Sequence, residues 1–205
     1  MFVRLAVLAL TAALSCSSET DSPRTHAIDP GALDAVGRMM LDPLRNKALD
    51  PPALIARLAP APDAVIADVG AGPGFLTLPL ARAVSRGHVI ATDIEPAYLD
   101  FLAANAREQH IVNIETKLVD AANPGLAPSS VDLALLCQLD HGLADRATYF
   151  AELTRALRPG GRIALVNYRR YRVADLAAAR AANLRVVDEW SPSPPFFLLV
   201  FAPLQ

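Results

Sequence analysis

The chain has 205 residues and a formal net charge of −2, with 53% hydrophobic and 20% charged residues. This composition can bury a core, which excludes an intrinsically disordered chain, and the length suits one α/β domain. The near-neutral charge also excludes the strongly basic surface on which phosphate-dominated nucleic-acid binding depends. We therefore expect a globular protein with no nucleic-acid partner.

Residues 1–15 have the features of a signal peptide. A short, positively charged start precedes an apolar run over residues 5–14, which is too short to span a bilayer because spanning takes about 20 residues. The order Ala13-Leu14-Ser15-Cys16 then resembles the lipobox of bacterial lipoproteins. We expect an exported, periplasmic protein that is anchored to a bacterial membrane by a lipid on Cys16. The alternative is an ordinary signal peptide cut after Ser15, since small residues also precede that bond.

The rest of the chain divides into three segments. Residues 16–28 are polar and rich in turn-forming residues, which is typical of a flexible tether. Residues 29–60, here called the helical leader, have apolar residues at helical spacing interrupted at Pro43 and at Pro51-Pro52. Residues 61–205 alternate short apolar runs with helical patterns and are predicted to form the main domain.

Short apolar runs predict seven strands in the main domain, at residues 65–69, 89–92, 114–118, 131–137, 162–168, 184–190 and 196–201. Helical patterns at 74–84, 96–108, 147–157 and 173–182 separate most of them. Continuous apolar strands that alternate with helices indicate a parallel sheet covered on both faces. The last two strands have no helix between them, so they should pair antiparallel. The predicted fold is a doubly wound, mostly parallel, seven-stranded α/β sheet with a C-terminal antiparallel hairpin strand.

A glycine-rich turn directly follows the first predicted strand. Gly70, Gly72 and Gly74 lie at alternating positions, and such a turn lets backbone approach a ligand at the carboxyl ends of parallel strands. The dinucleotide fingerprint G-x-G-x-x-G needs its third glycine where this chain has Phe75. Asp68 would repel a pyrophosphate, but it suits a ligand that carries an ammonium group. A nicotinamide-dependent oxidoreductase therefore stays only as an alternative.

Asp68-Val69-Gly70-Ala71-Gly72-Pro73-Gly74 resembles the first motif, D/E-x-G-x-G-x-G, of the class I S-adenosylmethionine-dependent methyltransferases, which have a Rossmann-like fold. The resemblance runs from about residue 42 to residue 203, and it includes the turn Leu157-Arg158-Pro159-Gly160-Gly161. Within the family, the chain is most similar to exported or lipoprotein-type bacterial members with a proline-broken leader. The resemblance implies that S-adenosyl-L-methionine is the cofactor. It assigns the cofactor contacts to Asp68, Gly70, Ala71, Gly72, Gly74, Asp93, Ile94, Asp120, Ala121 and Gln138.

The resemblance also implies a role for each residue that follows a strand. Asp93 would accept the ribose hydroxyls, Ile94 would flank the adenine, and Asp120 with Ala121 would meet the adenine amino group. Gln138 follows the fourth strand, where relatives often have an acid or an asparagine. Acids at strand ends also cap helices and fill turns, but their shared register with the glycine turn favours the cofactor.

The catalytic candidates are Asp140 and His141, with His110 and Tyr168 behind them. Asp140 and His141 follow the fourth strand, near the methionine end of the cofactor in the resembling family, and a general base is needed only if the acceptor loses a proton. We predict methyl transfer by direct displacement to a small-molecule or otherwise unidentified acceptor, with no metal site. A cofactor-binding module without catalysis is the alternative, and no pattern indicates an oligomeric state.

Overall fold

The computed structural model describes residues 29–139 and 142–204. The predicted signal peptide, the predicted tether and Cys16 therefore lie outside the described residues, as do the catalytic candidates Asp140 and His141. The helical leader begins with a 3₁₀ turn, Pro30–Ala32, and continues in α1 (Ala35–Met40), α2 (Pro43–Leu49) and α3 (Pro51–Leu58).

Proline and aspartate together start the second and third leader helices. Pro43 and Pro51 occupy the first helical turn, where the missing N–H costs nothing. The Asp42 carboxylate accepts from the backbone N–H of Leu44 at 2.9 Å, and the Asp50 carboxylate caps α3 in the same way. In the structure, the leader thus contains three short α-helices, of which α2 and α3 begin at Pro43 and Pro51.

The main domain alternates strands with helices. Its strands are β1 (Val65–Val69), β2 (His88–Asp93), β3 (Ile114–Leu118), β4 (Val131–Cys137), β5 (Leu157–Tyr168), β6 (Leu184–Trp190) and β7 (Phe196–Pro203). Its helices are α4 (Thr77–Ala83), α5 (Pro96–Glu108), α6 (Arg146–Ala156) and α7 (Arg172–Ala181), with a 3₁₀ turn, Arg169–Tyr171, before α7.

The strands form one seven-stranded sheet in the order β3-β2-β1-β4-β5-β7-β6. Neighbouring strands from β3 to β5 pair parallel, whereas β7 pairs antiparallel with both β5 and β6. The predicted fold class is confirmed, including the antiparallel pairing of the last two strands. The strand order changes direction between β1 and β4, and this switch point is where parallel α/β sheets bind ligands.

Side chains alternate between the two faces of the sheet and bury a core on each. On one face, strand residues such as Ala67 and Leu165 pack against α6 and α7. On the other face, residues such as Ile66 and Leu135 pack against α3 and α4. The leader residues Leu49, Leu54 and Leu58 belong to this second core and are almost fully buried. The helical leader is therefore packed into the body of the protein.

Several boundaries differ from the predicted ones, most clearly the starts of α4 and β5. Helix α4 begins at Thr77 and not at residue 74, because Gly74 has φ +94°, which a right-handed helix cannot contain. Strand β5 begins at Leu157, since Leu157 already pairs with Val131 before the register with β4 shifts. Strand β7 inserts between β5 and β6, so that the last strand of the chain is not at the sheet edge.

Within residues 29–139 and 142–204, no helix has both the length and the apolar character needed to cross a membrane.

Candidate active site

The turn after β1, residues 70–74, is here called the glycine loop, and backbone hydrogen bonds attach it to the end of β2. The N–H groups of Gly70 and Ala71 both donate to the carbonyl of Thr92, at 2.8 and 3.0 Å. The Asp93 carboxylate accepts from the N–H of Gly72 at 2.7 Å. The glycine loop and the Asp93 carboxylate therefore lie side by side, as the sequence predicts.

Besides its predicted ligand contact, Asp93 stabilises the backbone on both sides of the site. Its second carboxylate oxygen accepts from the N–H of Glu95 at 3.0 Å, which orders the turn into α5. The side chain is 8% exposed. An ionised carboxylate has acceptor capacity beyond two hydrogen bonds, so Asp93 can hold the glycine loop and still receive ribose hydroxyls.

Two glycines of the loop have no room for a side chain. Gly72 has φ +54°, and a Cβ there would lie 2.7 Å from the sulfur of Met40 in the leader. Gly74 has φ +94°, and a Cβ there would collide with Leu102 on α5. Gly72 thus allows close approach above the loop, while Gly74 allows close packing of the loop on the helix.

Asp68 lies at the base of the site with its side chain nearly inaccessible, at 2% exposure. The Thr77 hydroxyl donates to its carboxylate at 2.6 Å. Burial raises the pKa of Asp68 to about 6, and the nearby Asp93 charge adds to this shift while the Thr77 hydrogen bond opposes it. A buried carboxyl group of this kind gains from a cationic partner.

A cavity of about 200 Å³ lies over Asp68 and the glycine loop. Its apolar wall is formed largely by the leader and the start of α4 and consists of Val36, Met39, Met40, Phe75 and Leu76. Its other side is formed by the ends of β4 and β5, with Cys137, Gln138 and Tyr168. Arg45 from the leader and Asp68 are the charged residues of this lining.

Arg45 is a site residue that the sequence analysis missed. Its guanidinium donates to the side-chain oxygen of Gln138 at 2.9 and 3.3 Å and to the carbonyl of Met40 at 2.9 Å. It also lies over the ring of Phe75, 5.4 Å from the ring centre. No local signal separates Arg45 from the other arginines, because its partner Gln138 is 93 positions away in the chain.

Gln138 is in a left-handed backbone conformation, with φ +59°, directly after β4. Its own N–H donates to the carbonyl of Val166 at 2.8 Å, which holds this turn against β5. The side-chain nitrogen of Gln138 is buried without a hydrogen-bond partner. Buried donors are nearly always paired, so this nitrogen indicates a place for an acceptor atom.

The other predicted contacts lie toward the β3 side of the glycine loop. Ile94 is 60% exposed beside Asp93 and presents an apolar surface there. Asp120 and Ala121 are exposed in the turn that follows β3. Ala121 also borders a second cavity of about 230 Å³, next to Tyr149 on α6.

The two secondary catalytic candidates lie in different places. Tyr168 lines the cavity, stacked against Phe196 with ring centres 4.9 Å apart. His110 follows α5 where the chain turns into β3, at the end of the sheet where the strands begin. The cavity lies at the other end, where the strands finish, so His110 is far from it.

Cys137 is the free cysteine of the described residues, and burial raises its pKa to about 12, so its thiol stays protonated at neutral pH.

Comparison with known proteins finds similarity over much of the stretch that carries this site. Residues 66–161 match the model of a methyltransferase domain family. An uncharacterized methyltransferase of Mycobacterium tuberculosis is 40% identical over 123 residues, which are 60% of this chain and 47% of that protein. This chain thus spans about half the length of the curated relatives it matches.

Solved structures share the fold. A methyltransferase from Aquifex aeolicus, described as S-adenosylmethionine-dependent, has a TM-score of 0.73 at 19% identity and covers 85% of this chain and 98% of its own. A geranyl diphosphate C-methyltransferase from Streptomyces coelicolor, solved with S-adenosyl-L-homocysteine, has a TM-score of 0.68 at 16% identity, covering 86% of this chain and 89% of its own.

Proposed function

We propose that this chain transfers a methyl group from S-adenosylmethionine to a small-molecule acceptor. Residues 66–161 match a methyltransferase domain family, and the fold is shared with S-adenosylmethionine-dependent methyltransferases. The observation that carries the proposal is the Asp93 carboxylate at 2.7 Å from the Gly72 N–H, at the switch point of the sheet. A carboxylate at this point can receive ribose hydroxyls while the glycine loop approaches the rest of the ligand.

The residues of the site fit the cofactor at both of its ends. Asp68 is a buried carboxyl group that suits an ammonium, and Met40 of the leader, which lies over Gly72, lines the same cavity. Exposed Ile94 supplies an apolar surface for the adenine, with Asp120 and Ala121 in the next turn. When bound, S-adenosylmethionine would supply an electrophilic methyl group on a sulfonium.

The protein's contribution to such a displacement is chiefly orientation in a water-poor site. The apolar leader side chains that wall the cavity exclude water, and the strand ends fix the position of the ligand. Holding two reactants in the attack geometry supplies roughly 7–11 kcal/mol at the upper end. Asp140 and His141, predicted as the general base, follow the same strand as Gln138 and stay candidates for an acceptor that loses a proton.

The nicotinamide alternative has less support. Phe75 occupies the position of the third dinucleotide glycine, and its ring forms part of the cavity wall beneath Arg45. Asp68 lies where a pyrophosphate would be repelled. A binding module without catalysis would make the same contacts to S-adenosylmethionine as the enzyme, so only an assay for the methylated product distinguishes the two.

Titration calorimetry tests the cofactor directly. The protein should bind S-adenosylhomocysteine but neither NAD nor NADP. Asp93→Ala should weaken binding by about 1.5–3 kcal/mol per lost charged hydrogen bond, which is about tenfold or more. Asp100→Ala, an exposed acid on α5, is the matched control and should bind like the unchanged protein. Binding of NAD with no response to S-adenosylhomocysteine would refute the proposal.

The acceptor is proposed to be a small molecule, as it is for the geranyl diphosphate C-methyltransferase that shares the fold. An untargeted mass-spectrometric screen for methylated products, run with S-adenosylmethionine and metabolite extracts, identifies it. Cofactor binding without any methylated product in such screens would favour the binding module.

The cellular location is proposed from the first residues of the chain. Residues 5–14 are uncharged and apolar, and they give way to Cys16 and a polar tether, which supports export and lipid attachment. A diacylglyceryl cysteine carries two acyl chains, enough for stable anchoring. Cys16→Ser should release the protein from the membrane fraction and leave cofactor binding unchanged. A mature chain that begins at Cys16 and carries no lipid by intact mass would refute the anchor.

A further inference from the structure

The cavity over the glycine loop contains one acidic and one basic side chain among neutral and apolar ones. Asp68 lies at its base, and Arg45 reaches into it from the helical leader. This pattern matches an α-amino acid group, which carries one ammonium and one carboxylate on the same carbon. Because both side chains line the same small cavity, one ligand group can meet both.

The hydrogen bonds of Arg45 fix the orientation of the Gln138 amide. Two N–H groups of the guanidinium donate to the Gln138 oxygen, so this oxygen must face Arg45 and the amide nitrogen must face away from it. That nitrogen is the buried donor without a partner. Arg45 and Gln138 both line the cavity, so one part of its wall contributes a positive charge and an unsatisfied N–H donor.

The leader is held over this part of the cavity from two sides. Arg45 connects α2 to the end of β4, and the Tyr98 hydroxyl on α5 donates to the Asp34 carboxylate at the start of α1 at 2.7 Å. Tyr98 packs with Leu33 and with Phe101 in a small apolar cluster between the leader and α5. The position of Arg45 over the cavity is thus set by the packing of the whole leader.

We propose that Arg45, together with the Gln138 side-chain amide that it orients, binds the carboxylate of the cofactor's amino acid end, while Asp68 binds the ammonium. This assignment rests on the proposed function and extends it, because it makes the helical leader part of the cofactor site. It gives the leader a role in ligand specificity: the site selects a ligand with a complete amino acid group over one that lacks the carboxylate.

Three ligands that differ only at the amino acid end distinguish the carboxylate contact from the ammonium contact. S-adenosylhomocysteine carries both charges, its decarboxylated analogue carries the ammonium alone, and 5′-methylthioadenosine carries neither. Calorimetric affinities are measured for all three with the unchanged protein, with Arg45→Met and with Arg38→Met. Arg38 is the matched control, because it lies in the same leader but bonds to the carbonyl of Leu33 and does not line the cavity.

Arg45→Met should weaken S-adenosylhomocysteine binding by about tenfold or more, because a charge-assisted contact is lost. It should leave the affinities for the other two ligands within about twofold, and Arg38→Met should change none of the three. Equal losses for all three ligands with Arg45→Met would mean that Arg45 only supports the fold, which overturns the proposal. No loss for any ligand would overturn it as well.

Gln138→Glu is the second variant and keeps the test independent of leader stability, because the new carboxylate still pairs with Arg45. It should weaken S-adenosylhomocysteine through repulsion of the carboxylate and preserve or improve binding of the decarboxylated analogue. An unchanged preference between these two ligands contradicts the proposal. If the unchanged protein binds none of the three ligands, the proposed function itself fails. If it binds S-adenosylhomocysteine and the decarboxylated analogue with equal affinity, only the carboxylate contact fails, and if it binds all three equally, both charge contacts fail.

Discussion

Asp68 lies buried under the glycine loop, and this burial destabilises the ligand-free protein when the carboxyl group is ionised. Burial raises its pKa to about 6, well above the ordinary value of 3.8. The folded chain therefore holds this proton more tightly than the unfolded chain does. The stability that Asp68 contributes is fully present below pH 3.8 and is lost as the pH rises through about 6.

Asp68→Asn should reverse this loss, because asparagine resembles the protonated carboxyl group. The variant should be more stable than the unchanged protein at pH 8, by about 3 kcal/mol at most, and similar to it at pH 4. Urea denaturation at both pH values, without ligand, measures the difference. An equal difference at the two pH values would show that Asp68 does not titrate in this range.

Alanine substitutions at Gly72 and Gly160 distinguish the effect of backbone strain from the effect of filling occupied space. Both have positive φ, at +54° and +82°, but a Cβ at Gly72 would meet Met40, whereas a Cβ at Gly160 would meet nothing within 4 Å. Each substitution to alanine should cost about 1–2 kcal/mol of unfolding free energy. Only Gly72→Ala should also weaken S-adenosylhomocysteine binding in calorimetry. Equal binding losses in both variants would show that strain, and not occupied space, is responsible.

At the scale of elements, the helical leader has one face in the core and another in solvent. Leu54 on α3 is fully buried against the sheet, while Leu44 on α2 is 79% exposed. The prolines that start α2 and α3 turn the chain so that the buried leucines reach the sheet and Arg45 reaches the cavity. The leader therefore serves both the core and the candidate site.

Leu54→Ala should lower the free energy of unfolding by about 2–5 kcal/mol, because it leaves a cavity in the core. Leu44→Ala is the matched control in the same leader and should change it by about 0.5 kcal/mol or less. Denaturant melts at one pH compare the two. Similar small effects from both substitutions would contradict the packing of α3 on the sheet.

At the scale of the whole molecule, leader and sheet share one core. Leu49, Leu54 and Leu58 are buried together with residues of β1, β4 and β5, so removing the leader exposes the face of the sheet that they cover. A chain that starts at residue 61 should lose its cooperative thermal transition, and a chain that starts at residue 29 should keep it. Circular dichroism during heating gives both results. A cooperative transition in the shorter chain would show that residues 61–205 fold alone.

Much of the fold follows from local pattern. The ranges of β1, β3, β4, β6 and α5 coincide with the predicted ones. In β1 and β4 a largely apolar run leaves few alternatives, and in α5 a proline in the first turn opens a helical pattern. The glycine loop and Asp93 are equally local, since each directly follows a strand and parallel strands bring their carboxyl ends to one edge. The match to a methyltransferase domain covers this same stretch of the chain.

Tertiary structure alone decided the remaining features. The place of β7 between β5 and β6 depends on which sheet edge is free to pair, and the raised pKa of Asp68 depends on what buries it. The bond between Arg45 and Gln138 joins residues 93 positions apart, and it exists because α3 packs on the sheet. Sequence by itself thus determined the elements and the loop motif, which arise from neighbouring residues. The charge pattern of the cavity arises from distant residues brought together by packing, and no local pattern contains that information.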